Sequence, residues 1–166
     1  MMIIGLRNIY FSDILSISYR KLDKEEFYVN YMDNCIFCKI GKGEIPTQKV
    51  YQDSKVLAFL DVKPHTKGHT VVIPKSHGIT VFDYADKQLQ ELMVAVRKTM
   101  DRIKEVLNPD GFNVGWNHNS AAGQVVPHLH IHIMPRYLND GGGSMHSIVK
   151  NPGSMSVEEV GKLFGR

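Results

Sequence analysis

The sequence predicts an α+β domain built on an antiparallel sheet. Two observations carry that expectation: short strand-like runs follow one another along the chain, and a single long segment has helical periodicity. A third sets the scale. At 166 residues, 43% hydrophobic and 22% charged, the chain has the composition of one globular domain, with or without a tail.

Residues 1–31 stand apart. They hold four basic and four acidic residues and several aromatics, but neither histidine nor proline. No clear period runs through them, beyond a short helix expected around Lys24–Tyr31. The segment reads either as an appendage or as the product of an upstream start codon, with Met32 opening the regular part of the chain. Cys35–Ile40 is a short apolar run stopped by Gly41 and Gly43. Val50-Tyr51 and Val56–Leu60 read as strands around a turn at Gln52-Asp53-Ser54. The loop Asp61–Gly68 contains Pro64 and Gly68, and His69–Ile73 is a β-branched strand closed by Pro74. In Asp86–Leu107 the residues Leu89, Leu92, Met93, Val96, Met100, Ile103 and Leu107 recur at spacings of three and four, one apolar stripe on a helix. Asn108-Pro109-Asp110-Gly111 stops it. Phe112–Asn117 is a fourth strand, Asn119–Gly123 a loop of small residues, and Leu129–Pro135 a fifth strand by alternation. After the Gly-rich loop Asn139–Ser144, Ser156 and Glu159 form an S-x-x-E capping box opening a short helix that reaches Phe164.

Charge and cysteine usage exclude several classes of function. Twenty basic and 17 acidic residues leave a net charge of +3, too small to argue for a nucleic-acid partner. No apolar run approaches the ~18–20 residues that span a bilayer, so no membrane partner is expected. Arg7 and Asp13 interrupt the apolar residues near the N-terminus, which makes a poor signal peptide. Two cysteines cannot build the disulfide framework of a small secreted domain. A cytoplasmic protein is the expectation.

The most informative stretch is Pro127-His128-Leu129-His130-Ile131-His132-Ile133-Met134. In a strand, His128, His130 and His132 share one face while Leu129, Ile131 and Ile133 share the other. Three imidazoles without partners would be costly to bury, so the row is expected to line a site. Metal binding, nucleophilic or acid–base catalysis, and a merely solvated polar face are all open on spacing alone. With a rise of ~3.3 Å per residue the outer two rings lie ~13 Å apart, too far for one zinc to hold all three. Cys35-x-x-Cys38 likewise reads as a redox dithiol, half a metal site, or two buried small residues.

His-φ-His-φ-His-φ-φ over 128–134, with φ apolar, resembles the signature of the histidine triad (HIT) superfamily. The likeness extends to Cys35–Ile40 with Gly43-Glu44-Ile45-Pro46, Val56–Asp61, Gly68–Lys75 and Ala121-Ala122-Gly123-Gln124, in the order found in bacterial HIT proteins. It covers residues 32–137, leaving 1–31 as an extension and 138–166 as a tail. The resemblance implies a HIT-like fold, with a five-stranded antiparallel sheet, one long helix and short terminal helices. It also implies a nucleotidyl hydrolase or transferase acting at the α-phosphate of purine nucleotide derivatives, either dinucleoside polyphosphates or phosphoramidates. The alternative is a nucleotide-binding regulatory or scaffold protein with little turnover.

The resemblance assigns roles residue by residue. His130 is the nucleophile that carries the nucleotidyl group, and a backbone carbonyl accepting its Nδ1–H would leave Nε2 free. His132 is a phosphate ligand, and Gln124 and Asn117 match positions that bind phosphate and support the site. Asp61 matches the acid that holds the ribose hydroxyls, and His69 a supporting histidine near the site. Ile36, Phe37, Ile40 and Phe59 read equally as base pocket or as ordinary core. Cys35, Cys38, His77 (in Pro74-Lys75-Ser76-His77) and His128 match a structural zinc site of bacterial relatives, with no organic cofactor. Relatives are homodimers that join their sheets, which makes helix Asp86–Leu107 and strand Phe112–Asn117 the expected interface. His65, His118 and His146 have no matched role. One departure stands out: where the Hint branch has a serine that helps protonate the leaving group, this chain has Val125.

Overall fold

The structure, a computed structural model, describes residues 34–165. The helix expected at Lys24–Tyr31 lies outside the described residues. The fold is one mixed layer pair: a five-stranded sheet with one long helix against it.

Helix α1 spans Ile36–Lys42. The apolar run at Cys35–Ile40 is thus the first part of a helix, and Gly43 ends it with φ 82°, its N–H donating to the Ile40 carbonyl. The strands follow: β1 (Lys49–Gln52), β2 (Val56–Leu60) and β3 (Thr70–Pro74) form an antiparallel meander. The long helix α2 spans Asp86–Leu107, as its periodicity requires, and ends at Asn108 in the left-handed region just before Pro109. Then come β4 (Gly111–Gly115), β5 (Ile131–Arg136) and the short helix α3 (Val157–Phe164), capped by Ser156 and Glu159. The sheet order is β1-β2-β3-β5-β4, and every neighbouring pair is antiparallel.

β5 begins at Ile131, two residues later than alternation suggests, because Pro127–His130 bend away to meet other partners. Its burial alternates strictly, with Ile131, Ile133 and Pro135 buried and His132, Met134 and Arg136 half-buried. Leu129, Ile131 and Ile133 join Val56, Ala58 and Val72 under Leu92, Ala95, Val96 and Ile103 of α2. Met93 departs from the expected stripe: it is 51% exposed, while Ala95 and Thr99 are buried in its stead. Thr99 tolerates burial because its hydroxyl donates to the Ala95 carbonyl at 2.8 Å. On the opposite face, Leu57, Phe59, Val71 and Ile73 pack with Ile40, Phe37 and Ile45 around α1. Helix α1 therefore covers only part of that face, and the histidines lie beside it.

Candidate active site and metal centre

The three histidines of the triad share one side of the sheet but have different surroundings. His128 is completely buried, His130 is 6% exposed, and His132 is half-buried within β5. In the sheet register His132 lies between Val71 of β3 and Gly115 of β4.

His128 points toward the cysteines. Its Nε2 donates to the Pro74 carbonyl at 2.9 Å, so its Nδ1 keeps the lone pair. That atom lies 3.5 Å from Cys35 Sγ and 3.6 Å from Cys38 Sγ, and His77 Nδ1 lies 3.3 Å from Cys38 Sγ. The donor atoms of Cys35, Cys38, His77 and His128 all fall within 4.8 Å of one another. Tetrahedral zinc, with bonds of about 2.3 Å to sulfur and about 2.0–2.1 Å to nitrogen, separates its sulfur and nitrogen ligands by about 3.5–3.6 Å. Two thiols and two imidazoles at these spacings fit such an ion. Neither cysteine is in a disulfide. Burial pushes the His128 imidazole down to about 4, which keeps it in the neutral form that ligates metal.

His130 is held by the same residue. Its Nδ1 lies 2.7 Å from the His128 carbonyl oxygen, which can only accept, so Nδ1 carries the proton and Nε2 the lone pair. Phe37 of α1 stands edge-on to the ring at 5.1 Å, and itself packs on Phe59 at 5.9 Å. Of the four apolar residues with two readings, Phe59 and Ile40 are core, Phe37 bridges core and site, and Ile36 is 47% exposed. Burial lowers the His130 pKa, against smaller raising effects of the His128 carbonyl and Asp61.

His132 faces His69. The His69 Nε2 is 3.0 Å from His132 Nδ1 and 3.8 Å from Asp61 Oδ2. Burial holds the His132 imidazole down at about 4. Asp61 also accepts the Lys63 N–H, which fixes its carboxylate at the mouth of a hollow of about 390 Å³ lined by Leu60, Pro64, His65 and His69. Asp61, His69, His130 and His132 are thus brought together.

Gln124 and Asn117 are placed differently. The Gln124 amide donates to the carbonyls of Ile79 and Val126 at 2.8 and 3.2 Å, and its Oε1 accepts from Asn119 N–H at 2.8 Å. It also reaches the His128 carbonyl at 3.5 Å, so here it braces the loop that orients His130. The exposed Asn117 side chain contacts the Gly123 carbonyl at 3.4 Å. His65, which had no matched role in the sequence, lies at the site: its ring is 5.8 Å from that of His69. Of the other histidines without a matched role, His118 stands edge-on to Phe82 at 5.2 Å and the exposed His146 lies beside Ser144.

The tail closes one flank of this face. Arg136 donates to both oxygens of Asp140, to the Gly143 carbonyl and to Asn113. Among the described residues, no helix is long and apolar enough to cross a membrane.

Comparison with known proteins locates this arrangement. A family model described as "HIT domain" matches residues 42–139. An uncharacterised HIT-like protein of Methanocaldococcus jannaschii is 47% identical over 126 residues, covering 76% of this chain and 95% of the relative. An adenosine 5'-monophosphoramidase of Schizosaccharomyces pombe is 39% identical over 103 residues, covering 62% of this chain and 74% of the relative. Among solved structures, a HIT family protein from Bacillus anthracis superposes with a TM-score of 0.70 at 42% identity, over 80% of this chain and 94% of that one. A zinc-bound histidine triad family protein from Mycobacterium smegmatis superposes with a TM-score of 0.62 at 35% identity, over 74% and 86% of the two chains.

Proposed function

Because the chain belongs to the HIT domain family, we propose that it is a nucleotide hydrolase or transferase acting at an α-phosphate through a nucleotidyl-histidine. Its substrates would be purine nucleotide derivatives, either dinucleoside polyphosphates or nucleoside phosphoramidates. The observation that carries this reading is the orientation of His130. With Nδ1–H committed to the His128 carbonyl at 2.7 Å, Nε2 presents an unprotonated nucleophile. The monophosphoramidase among the relatives supports the substrate class.

The chemistry proceeds in two displacements. His130 Nε2 attacks the α-phosphorus, a nitrogen–phosphorus bond forms, and the bond to the leaving group breaks. The leaving group departs with the electron pair and takes up a proton. Water then adds to phosphorus and loses a proton, the nitrogen–phosphorus bond breaks, and its electron pair returns to Nε2. The products are a nucleoside monophosphate and neutral His130. Two smaller barriers replace one large one. His132 donates to a phosphate oxygen as charge develops there. Asp61 accepts hydrogen bonds from the ribose hydroxyls, and Ile36 and Phe37 supply apolar surface for the base. Asn117 would add a phosphate contact, and Gln124 holds the loop behind His130.

Cys35, Cys38, His77 and His128 would hold a zinc ion. The ion supplies a structural clamp between α1 and the segment that carries the nucleophile, not a reacting group. No organic cofactor enters the scheme. We place a homodimer contact on α2, where Met93 and Val94 are exposed, and on the edge strand β4, just past which Trp116 is exposed.

One observation favours a second reading, a nucleotide-binding protein with little turnover. Val125, at the position of the Hint serine, is 88% exposed and has no proton to give. Turnover of diadenosine polyphosphates and adenosine phosphoramidate separates the two. The enzyme reading expects hydrolysis that His130→Ala reduces by at least about 10³-fold while AMP binding and zinc content persist. AMP binding without turnover by the parent protein would establish the binding reading. Activity that survives in His130→Ala but is lost to a chelator would establish a metal hydrolase instead.

A further inference from the structure

We infer that the backbone amide of His65 fixes the proton of His132 on Nε2, through His69, and so makes His69 a positioning residue for the phosphate-side histidine. The functional weight of this rests on the nucleotidyl-transfer reading above; the proton arrangement itself does not.

A backbone N–H can only donate. The His65 N–H points at His69 Nδ1 from 3.3 Å, so that nitrogen accepts and bears the lone pair. His69 is 2% exposed and kept neutral by burial, so its one ring proton sits on Nε2. Nε2 lies 3.0 Å from His132 Nδ1 and donates to it. His132 is neutral as well, so the remaining proton is on its Nε2, on the side of the ring away from His69. Asp61 Oδ2, at 3.8 Å from His69 Nε2, is beyond hydrogen-bond range and leaves the proton directed at His132.

The source of the relay is held firmly. Thr66 accepts the His69 N–H at 3.0 Å through its carbonyl, and donates its hydroxyl to the Pro135 carbonyl at 2.9 Å. Gly68 has φ 83°, and any Cβ there would overlap Leu107 Cδ1. The loop is therefore pinned to β5 and α2, and the His65 amide cannot swing to a different partner without breaking these contacts.

The consequence is a pair of opposite tautomers on adjacent histidines. His130 holds its proton on Nδ1 and offers a lone pair at Nε2. His132 holds its proton on Nε2 and offers a donor. A nucleophile for phosphorus and a hydrogen-bond donor for a phosphate oxygen then stand side by side before substrate arrives.

The same atoms could suggest a cation site, because Asp61, His69 and His132 place their donor atoms within 4.8 Å of one another. The His65 N–H argues against it. A metal on His69 Nε2 would require the proton to move to Nδ1, directly against the donating amide.

Long-range nitrogen–proton NMR of ¹⁵N-histidine-labelled, zinc-loaded full chain reads the tautomers directly. The relay predicts His69 and His132 protonated on Nε2 and unprotonated on Nδ1. A His132 protonated on Nδ1, or with averaged nitrogens, would overturn it. His69→Leu should average the His132 nitrogens and lower kcat about 10²-fold with little change in KM. His69→Gln keeps an acceptor for the His65 amide and a donor for His132, and should restore the Nε2-protonated form and most of kcat. His65→Ala retains the amide and should leave the His132 pattern as it is. Equal losses in His69→Leu and His69→Gln, or a second zinc per chain that disappears in His69→Leu, would overturn the relay. The NMR pattern of the free protein does not depend on turnover. A failure of the nucleotidyl reading would therefore appear in the His130→Ala assay and not here.

Discussion

The rings of His130 and His132 stand 5.1 Å apart with their planes at 81°, and each is turned by a different partner. His130 is oriented from behind by the His128 carbonyl and His132 from the side by His69. This pair connects the two halves of the site: His130 is tied to the cysteine–histidine cluster through His128, and His132 to the Asp61–Gly68 loop through His69.

The first half predicts a metal dependence that is structural. Metal analysis should find about one zinc per chain, as a closed four-ligand site holds. Cys38→Ser should lower that content and the thermal unfolding temperature, because the clamp between α1 and residues 128–130 is lost. Full zinc content in Cys38→Ser would contradict the assignment of Cys35, Cys38, His77 and His128.

The second half predicts the pH behaviour. Burial lowers His132 to about 4, so it binds no proton at neutral pH while an unfolded chain begins to do so below about 6.5. Between those values the unfolded state carries more protons, so stability falls as pH falls and levels off below about 4. His130 must keep its Nε2 lone pair to attack, and burial lowers its pKa, so the acid limb of kcat/KM should lie below the usual imidazole value. A pH–rate profile with its acid midpoint near about 6.5 would contradict this.

Gly68 links the fold to the site. Gly68→Ala places a side chain at φ 83° and against Leu107, at a cost of about 1–3 kcal/mol. Urea unfolding should report that loss, and activity should drop further than stability requires because His69 follows directly in the chain.

Val125 predicts leaving-group preference. An anhydride releases a phosphate group that departs readily, whereas an amine must be protonated. Val125→Ser should therefore raise phosphoramidate turnover relative to dinucleoside polyphosphate turnover, by roughly 10-fold or more in a competition assay. An unchanged ratio would mean that another group already supplies the proton.

Much of this was legible in the chain itself. The α2 stripe fixed both ends of that helix, because 22 residues of helical period between clear stop signals leave little freedom. The triad's alternation identified the core-facing residues Leu129, Ile131 and Ile133. What sequence could not supply was set by tertiary partners. The start of β5 shifted because His128 turns to Pro74 and the cysteines. Met93 left the stripe because the sheet accommodates the smaller Ala95 and Thr99. The bracing contacts of Gln124 depend on carbonyls at Ile79 and Val126, and the His65–His69–His132 chain on a loop closure. No local pattern encodes either.

The central claim is that His130 carries the nucleotidyl group. Acid-free quenching of the protein with an adenosine dinucleotide, followed by intact and peptide mass spectrometry, tests it most directly. One adenylyl group is expected on the peptide containing His130, absent from His130→Ala. Turnover with no adduct at His130 under single-turnover conditions, or an adduct on a different residue, would contradict it.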